Sequence, residues 1–179
     1  MARVLLEWFS LTRETDEKAR VWPMSGAESG PTIADRRFSD LTTVELHGIL
    51  RLRSEVFVVE QACIYLDIDG HDTEPETRHV WISGADETLV AYARCVDDGP
   101  GRSRIGRVVT APSHRSQGHA ARLVSYLVGS LEGVVILDAQ SYLLDWYTNL
   151  GFAPTGDEFL EDGIPHIPMR YIGGEDSDQ

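Results

Sequence analysis

The sequence of 179 residues contains one lysine, Lys18, and two cysteines, and it is short of positive charge as a whole. Its formal net charge of -13 disfavours nucleic acid and anionic membranes as partners, because both bind proteins through clustered lysine and arginine. Cys63 and Cys95 lack the spacing of a zinc site or of a disulfide framework. No stretch approaches the roughly 20 apolar residues that span a bilayer. These absences predict a cytoplasmic protein with free thiols and no membrane partner.

Composition and length predict a single globular domain with an extension at each end. Hydrophobic residues make up 42% of the sequence and charged residues 25%, which is close to the average of globular proteins. Residues 1–35 join a charged piece to a stretch rich in Gly, Pro and Ser, and this predicts an N-terminal extension and linker. The domain is predicted over residues 36–172, followed by a flexible acidic tail over residues 173–179.

Hydrophobic periodicity predicts an α/β domain. Apolar residues at helical spacing predict a helix that begins at Asp40 or Thr42 and ends near Glu60. The runs RHVWIS and TLVAYARCVDD predict a hairpin, and a third strand follows at RIGRVVTA. A strongly amphipathic helix is predicted after Gly118, then a strand buried on both faces at VVILDA, a short helix and a final strand at PHIPMRY. This order of elements predicts a mixed sheet flanked by helices.

A phosphate site is predicted at the stretch HRSQGHAARLV, residues 114–124. No Asp or Glu occurs between Gly99 and Leu131, whereas five arginines do, so this part of an acidic chain is locally basic. Gly118 would let the main chain approach an anion, and the start of the following helix would supply unpaired N–H groups. The pattern R-x-x-G-x-A fits neither a Walker loop nor a dinucleotide fingerprint. On its own, it also fits a plain loop that caps a helix.

The stretch RSQGHA resembles the acyl-CoA pyrophosphate loop of the GNAT N-acetyltransferase superfamily, written Q/R-x-x-G-x-G/A. Downstream, YTNLGF matches the family signature Y-x-x-x-G-F. The blocks VFVVEQ and EDGIPH resemble the ElaA-type branch of that superfamily, and the likeness covers about residues 36–171. The resemblance implies the GNAT fold, a mixed twisted sheet flanked by helices. Its fourth and fifth strands, here RIGRVVTA and VVILDA, would splay apart to admit acetyl-CoA.

The resemblance also implies which residues contact acetyl-CoA. The main chain at the end of the fourth strand would run along the pantetheine and the acetyl carbonyl. The N–H groups of the loop would cradle the pyrophosphate, with an arginine at its edge, and a glutamine after the fifth strand would touch the cofactor. These residues are Val108, Val109, Thr110, Arg115, Ser116, Gln117, Gly118, His119, Ala120 and Gln140.

The candidate catalytic residues each fit a second interpretation, and of these the resemblance implies only Tyr147. Tyr147 matches the tyrosine that protonates the CoA sulfur, but its spacing also fits a core tyrosine. Glu60 is our first choice for the base that takes the proton of the amine, although it also fits a helix cap. Glu161, Asp162 and His166 are predicted to bind the acceptor and are further candidates for the base. The first two also fit an exposed turn, and the histidine fits a hydrogen bond within the sheet.

The acidic segment DIDGHD places Asp67 and Asp69 at the first and third positions of a calcium-binding loop. His71, Asp72 and Arg78 then stand where such a loop needs an acid or amide, a glycine and a glutamate. The histidines of the chain show no pair at the helical spacing of a zinc site. No metal is therefore predicted.

Together these features predict an acetyl-CoA-dependent N-acetyltransferase that acts on the amine of a small molecule or peptide. The amine would attack the thioester directly in a ternary complex, because neither cysteine has the surroundings of an activated thiol. A monomer or homodimer without a nucleic-acid partner is expected. The alternative is a non-catalytic acyl-CoA-binding sensor or regulatory module, because the same loop serves both functions.

Overall fold

One mixed β-sheet organises the protein in a computed structural model that describes residues 32–63, 65–84 and 87–173. Its strands are, in chain order, β1 (Ile33–Arg37), β2 (Arg78–Ser83), β3 (Leu89–Asp97), β4 (Arg102–Thr110), β5 (Val134–Gln140), β6 (Phe152–Pro154), β7 (Phe159–Glu161) and β8 (Ile164–Tyr171). The α-helices are α1 (Thr43–Arg53), α2 (His119–Ser130) and α3 (Leu144–Asn149). In space the strands follow the order β1-β2-β3-β4-β5-β8-β6, and β7 pairs with β8. The predicted mixed sheet flanked by helices is confirmed.

The strand β1 lies partly inside the segment that the sequence assigns to the N-terminal extension. It pairs antiparallel with β2, and Ile33 lies opposite Ile82. Residues 33–35 therefore belong to the sheet, because their backbone pairs with β2 although their own sequence has no apolar alternation. The rest of the predicted extension, residues 1–31, and residues 174–179 of the predicted tail lie outside the described residues.

Helix α1 begins at a capping box. The Thr42 hydroxyl accepts a hydrogen bond from the N–H of Glu45 at 3.2 Å, and the Glu45 carboxylate accepts one from the N–H of Thr42 at 2.8 Å. Thr42 is thus the cap, whereas Asp40 lies in the preceding 3-10 turn. At Ser54 the helix continues as a π-helical turn that ends at Glu60, which confirms the predicted end. Such turns are frequent at functional sites.

The hydrophobic core lies on both faces of the sheet, because alternate residues of its strands point to opposite sides. On β2, Val80 and Ile82 join the cluster around α2, whereas Trp81 between them joins the cluster around α1. The fully buried residues of α2 are Leu123, Val124 and Leu127, which confirms the predicted amphipathic helix. Burying each large apolar side chain stabilises the fold by about 1.5–3 kcal/mol.

Strands β4 and β5 are parallel but are paired only at their beginnings. The pairs are Arg102 with Val134, Ser103 with Val135 and Arg104 with Ile136. Both strands are described in full, and no further pair joins them after Arg104. On its other side β5 pairs with β8. The sheet therefore opens into a wedge between β4 and β5, which confirms the predicted splay.

Candidate functional site

The wedge between β4 and β5 holds two adjoining cavities. The first, here called the loop cavity, has a volume of about 350 Å³ and lies between the end of β4, the π-helical turn and the start of α2. The second, the hairpin cavity, has a volume of about 280 Å³ and lies between β4, β5 and the β7–β8 hairpin. The residues that line both cavities are Phe57, Gln61, Val108, Tyr142, Leu143 and Tyr147.

The predicted phosphate loop has the backbone geometry of an anion cradle. Ser116 and Gly118 both have left-handed backbone angles, with φ of 61° and 76°. Gly118 is the N-cap of α2 and offers no side-chain cap, so the first N–H groups of the helix are left for a ligand. A Cβ built on Gly118 would meet nothing within 4 Å, so the glycine is needed for its backbone angle and leaves the cradle open.

Most of the residues predicted to bind the cofactor line the loop cavity: Val108, Val109, Thr110, Arg115, Ser116, Gly118, His119 and Ala120. Gln117 is exposed, and its side chain lies 3.3 Å from the His119 ring. Gln140 lines the hairpin cavity instead, because it stands at the end of β5 opposite His166 of β8. Desolvation lowers the pKa of His119, with smaller contributions from the charges of Arg122 and His114.

Glu60 lies on the loop side of the site, where Arg115 holds it. The Arg115 guanidinium donates to both carboxylate oxygens, from Nη1 to Oε1 at 2.9 Å and from Nη2 to Oε2 at 2.8 Å. Both residues line the loop cavity, whereas the described residues that line the hairpin cavity do not include Glu60. The bidentate pair occupies the carboxylate and joins the π-helical turn to the phosphate loop.

Tyr147 belongs to the core and to the site at once. The residue is 6% exposed, and its ring packs edge-on against Trp146 and Phe152, with centroid distances of 4.7 Å and 5.8 Å. The residue nevertheless lines both cavities. Burial, with a smaller contribution from Tyr142, raises the pKa of the Tyr147 hydroxyl, so the group carries its proton at neutral pH.

The EDG part of the EDGIPH block forms the turn of the β7–β8 hairpin. Asp162 and Gly163 have φ of 50° and 80°, the two consecutive left-handed angles of a type I′ turn. The turn interpretation is confirmed, and the same turn brings Glu161 and Asp162 to the hairpin cavity. The predicted acceptor residues therefore lie together, because His166 of β8 lines the same cavity.

The His166 ring is held in one tautomer when it is neutral. Its Nδ1 lies 2.9 Å from the carbonyl oxygen of Ile164, and a carbonyl only accepts, so Nδ1 carries the proton. Nε2 then keeps a lone pair, and it lies 3.9 Å from a carboxylate oxygen of Glu161. A neutral histidine with a free Nε2 is a competent proton acceptor.

The arginines that line the hairpin cavity all have carboxylate partners. The carboxylates of the β7–β8 hairpin, in contrast, have no arginine partner among the described residues. Arg104 pairs with Asp98 at 3.1 Å and also with Asp138. The other arginines that line the cavity, Arg94 and Arg107, pair with aspartates of the DIDGHD segment. In the part of the chain that the structure describes, no arginine pairs with Glu161 or Asp162. The cavity therefore favours a cation at its hairpin wall.

Strand β5 corrects one prediction. Val135, Leu137 and Ala139 are buried, but the residues between them are only half-buried. Asp138 and Gln140 line the hairpin cavity. The prediction that this strand is buried on both faces was wrong, because one face borders the cavity.

Tyr142 and Cys63 are among the cavity-lining residues that the sequence did not identify as site residues. Tyr142 follows β5 directly and lines both cavities, and its position just after a strand that borders the wedge is the signal that could have found it. Cys63 lines the hairpin cavity, and its thiol lies 3.9 Å from the carbonyl oxygen of Asp162. Both cysteines are free, as predicted. Desolvation raises the pKa of Cys63, with a smaller contribution from Asp162, so it is a protonated thiol.

Residues 53–172 match the family model described as an acetyltransferase (GNAT) domain. The chain belongs to the GNAT family. It is 43% identical over 138 residues to a UPF0039 protein of Mycobacterium tuberculosis, an alignment that covers 75% of this chain and 88% of that protein. It is 38% identical over 142 residues to the protein ElaA of Escherichia coli, covering 75% and 92%.

Solved structures agree with the family. A crystal structure of an acyl-CoA N-acyltransferase from Pseudomonas aeruginosa superposes with a TM-score of 0.74 at 38% identity, and covers 79% of this chain and 99% of that chain. The crystal structure of Escherichia coli ElaA gives a TM-score of 0.73 at 37% identity, with the same coverage. Membership of the GNAT family supports acyl transfer as the general activity.

Among the described residues, none of the helices is both long and apolar enough to cross a membrane, and no group of metal-ligating side chains is found.

Proposed function

We propose that the protein is an acetyl-CoA-dependent N-acetyltransferase whose acceptor is a cationic amine of a small molecule or peptide. The observation that carries this proposal is the meeting of the two cavities at Val108 and Tyr147. The loop cavity has the anion cradle that the pyrophosphate of CoA needs. The hairpin cavity has the carboxylates that a cationic amine needs. The thioester would thus lie where the two substrates meet.

The chemistry requires a polarised carbonyl, a neutral amine and a proton for the departing sulfur. The main-chain N–H of Val108 polarises the thioester carbonyl in this proposal. As the amine nitrogen bonds to the carbonyl carbon, the carbon–sulfur bond breaks. Tyr147 gives its proton to the departing CoA sulfur, and the second proton of the amine nitrogen, which the amide does not keep, returns to the tyrosine oxygen through water.

We propose His166 Nε2, rather than Glu60, as the group that takes the proton of the amine. Glu60 faces the loop cavity and is held by Arg115. His166 faces the hairpin cavity with its Nε2 lone pair available. Glu161, 3.9 Å from that nitrogen, stabilises the imidazolium that forms. The carboxylates of Glu161 and Asp162 also attract the protonated amine before it loses its proton.

Thiol release from acetyl-CoA tests this function. The full chain is incubated with acetyl-CoA and a panel of alkyl amines, diamines and peptides, and free CoA thiol is measured. We expect release that depends on the acceptor and is faster for cationic amines than for matched neutral or acidic acceptors. Tight binding of CoA without acceptor-dependent release would contradict the enzyme and favour a non-catalytic acyl-CoA sensor. Release that depends on an acidic acceptor would contradict the cationic class alone.

A further inference from the structure

The DIDGHD segment, which does not fit a calcium loop, is bound by arginines from three different elements. Arg53 comes from the end of α1, Arg94 from β3 and Arg107 from β4. Their partners are Asp67, Asp69 and Asp72. With as many arginines as aspartates, this charge network is neutral, and it borders the hairpin cavity through Arg94 and Arg107.

The inner part of the network is buried. Arg53 is fully buried and donates from Nε to Asp67 at 3.0 Å and from Nη1 to Asp72 at 2.7 Å. Arg94 donates to Asp69 at 2.6 Å and to Asp72 at 2.8 Å. Because buried ion pairs with several hydrogen bonds have little freedom to move, this inner part gives the segment a fixed position.

Arg107 connects the network to β4. Its Nε donates to Asp67 at 2.8 Å, and its Nη2 donates to Asp69 at 3.0 Å. The guanidinium also lies over the ring of Tyr65, 5.2 Å from the ring centroid. Asp69 thus receives hydrogen bonds from Arg94 on β3 and from Arg107 on β4, so one carboxylate joins the two neighbouring strands.

The backbone of Arg107 is in an unfavourable conformation. In the pairing of β3 with β4, Arg94 lies opposite Gly106 and Tyr92 lies opposite Val109. Ala93 therefore faces two residues, Arg107 and Val108, which is a β-bulge. Arg107 has φ of 53°, a left-handed backbone angle that is unfavourable for residues with a Cβ atom. The adjacent glycine does not take this angle, so other contacts must hold the arginine there.

We propose that Arg107 is a positioning residue: its ion pairs with Asp67 and Asp69 hold the bulge of β4 and thereby fix the main-chain N–H of Val108 against the acyl carbonyl. The inference rests on the proposed function, in which that N–H polarises the thioester. It gives the DIDGHD segment a role in the reaction through Arg107, although no residue of the segment lines either cavity. A displacement of about 1 Å in such a donor can cost about 10²-fold in rate.

A purely structural role for Arg107 predicts a different result from a positioning role. If the ion pairs only stabilise the fold, Arg107→Ala lowers the midpoint of thermal unfolding but leaves kcat unchanged at temperatures where the protein is folded. If Arg107 positions the bulge, kcat falls by about 10²-fold in the folded variant while the KM for acetyl-CoA changes little, because the pyrophosphate cradle lies elsewhere. The dissociation constant of CoA, which has no acyl carbonyl, is expected to stay the same.

The decisive measurement is the infrared carbonyl frequency of bound, carbonyl-labelled acetyl-CoA, which needs no turnover. A hydrogen bond from Val108 lowers this frequency in the unchanged protein. We expect Arg107→Ala to return it most of the way to the value of free acetyl-CoA. Arg107→Lys, which keeps the charge but not the two-armed fork, should give an intermediate value and serves if the alanine variant does not fold. Arg102→Ala is the matched control, because Arg102 lies on the same strand, is exposed and pairs with Asp98.

Each outcome decides the inference. An unshifted carbonyl in the unchanged protein would overturn it even if turnover occurs. A frequency that is the same in the unchanged protein and in both Arg107 variants would also overturn it. A return to the free value in Arg102→Ala would show that the effect is not specific to Arg107. Failure of the unchanged protein to bind acetyl-CoA would instead contradict the proposed function, and this inference with it.

Discussion

Arg115 holds both carboxylate oxygens of Glu60, at 2.9 Å and 2.8 Å, across 55 residues of sequence. This pair fixes the π-helical turn at the end of α1 against the phosphate loop. It also gives Arg115 a carboxylate partner at the place where the CoA pyrophosphate is expected. The pair therefore favours a role for Glu60 in shaping the proposed cofactor site over a role as the base.

Replacing Glu60 by glutamine tests that distinction. Exposed ion pairs contribute about 0.2–1 kcal/mol, so removing the Glu60 carboxylate should tighten CoA binding by at most about fivefold. The kcat should change little, whereas His166→Gln should lower kcat by about 10²-fold or more, because it removes the proposed base. Calorimetric titration with CoA and steady-state kinetics measure the two effects. A large loss of kcat in Glu60→Gln with normal activity in His166→Gln would reverse the assignment.

Tyr147→Phe removes the proposed acid and keeps the buried ring. We expect kcat to fall by about 10²-fold, with nearly unchanged CoA affinity and unfolding midpoint, because the edge-on contacts with Trp146 and Phe152 remain. Tyr171→Phe is the matched control, since Tyr171 packs on the same Phe152 ring at 5.3 Å but does not line either cavity. Equal loss of activity and stability in Tyr147→Phe would assign the hydroxyl to packing.

Gly118→Val places a side chain in the anion cradle. The residue has φ of 76°, so valine strains the loop, and its methyl groups fill space that the pyrophosphate needs. We expect CoA affinity to fall by more than about tenfold, a loss of more than about 1.4 kcal/mol. Gly129→Val is the matched control within α2, where an added Cβ also meets nothing within 4 Å but φ is not positive. Unchanged affinity in a folded Gly118→Val protein would move the cofactor elsewhere.

Acid should destabilise the protein in two separate pH ranges. Desolvation lowers the pKa of His79, whose ring is hydrogen-bonded to the Tyr92 hydroxyl and to the main-chain carbonyl of Asp72. The unfolded chain binds that proton more readily, so stability falls as pH drops below about 6.5. Burial alone would raise the pKa values of Asp69 and Asp72, but hydrogen bonds and charges of their arginines outweigh it and lower them. Their contribution is present above about pH 4 and is lost as pH falls further.

Denaturant unfolding between pH 8 and pH 3 measures both ranges. His79→Gln should flatten the slope between about pH 7 and pH 5 and leave the loss below about pH 4 in place. His47→Gln is the control, because His47 is an exposed histidine of α1, and it should leave both ranges unchanged. Equal slopes in all three proteins between pH 7 and pH 5 would contradict the assignment to His79.

The elements that the sequence predicted are those whose signals are local. Thr42 and Glu45 form a capping box that can be recognised from four residues, and α2 has an uninterrupted apolar stripe. The strand β1 was missed because its five residues contain two apolar ones and depend on pairing with β2. The strand β7 was missed because all its residues are exposed.

The difference between local and long-range signals also explains which parts of the candidate site the sequence predicts. The phosphate loop and Tyr147 lie in short motifs, so their family resemblance was sufficient to predict their place in the wedge. The Arg115–Glu60 pair and the charge network join residues far apart in sequence, and no local pattern indicates which arginine meets which carboxylate. The DIDGHD segment therefore appeared as an isolated group of acids, although each of its aspartates has an arginine partner.

The three register pairs at the start of β4 and β5 have a mechanical consequence. Within the described residues, strand pairing divides the sheet into one group of β1 to β4 and another of β5, β8, β6 and β7, joined only by that short seam. A cosubstrate bound in the wedge would contact both groups. It would therefore link two parts of the sheet that are joined by only three residue pairs between β4 and β5. Because it would bind only the folded sheet, it would raise the free energy of unfolding by an amount that grows with its concentration relative to its dissociation constant.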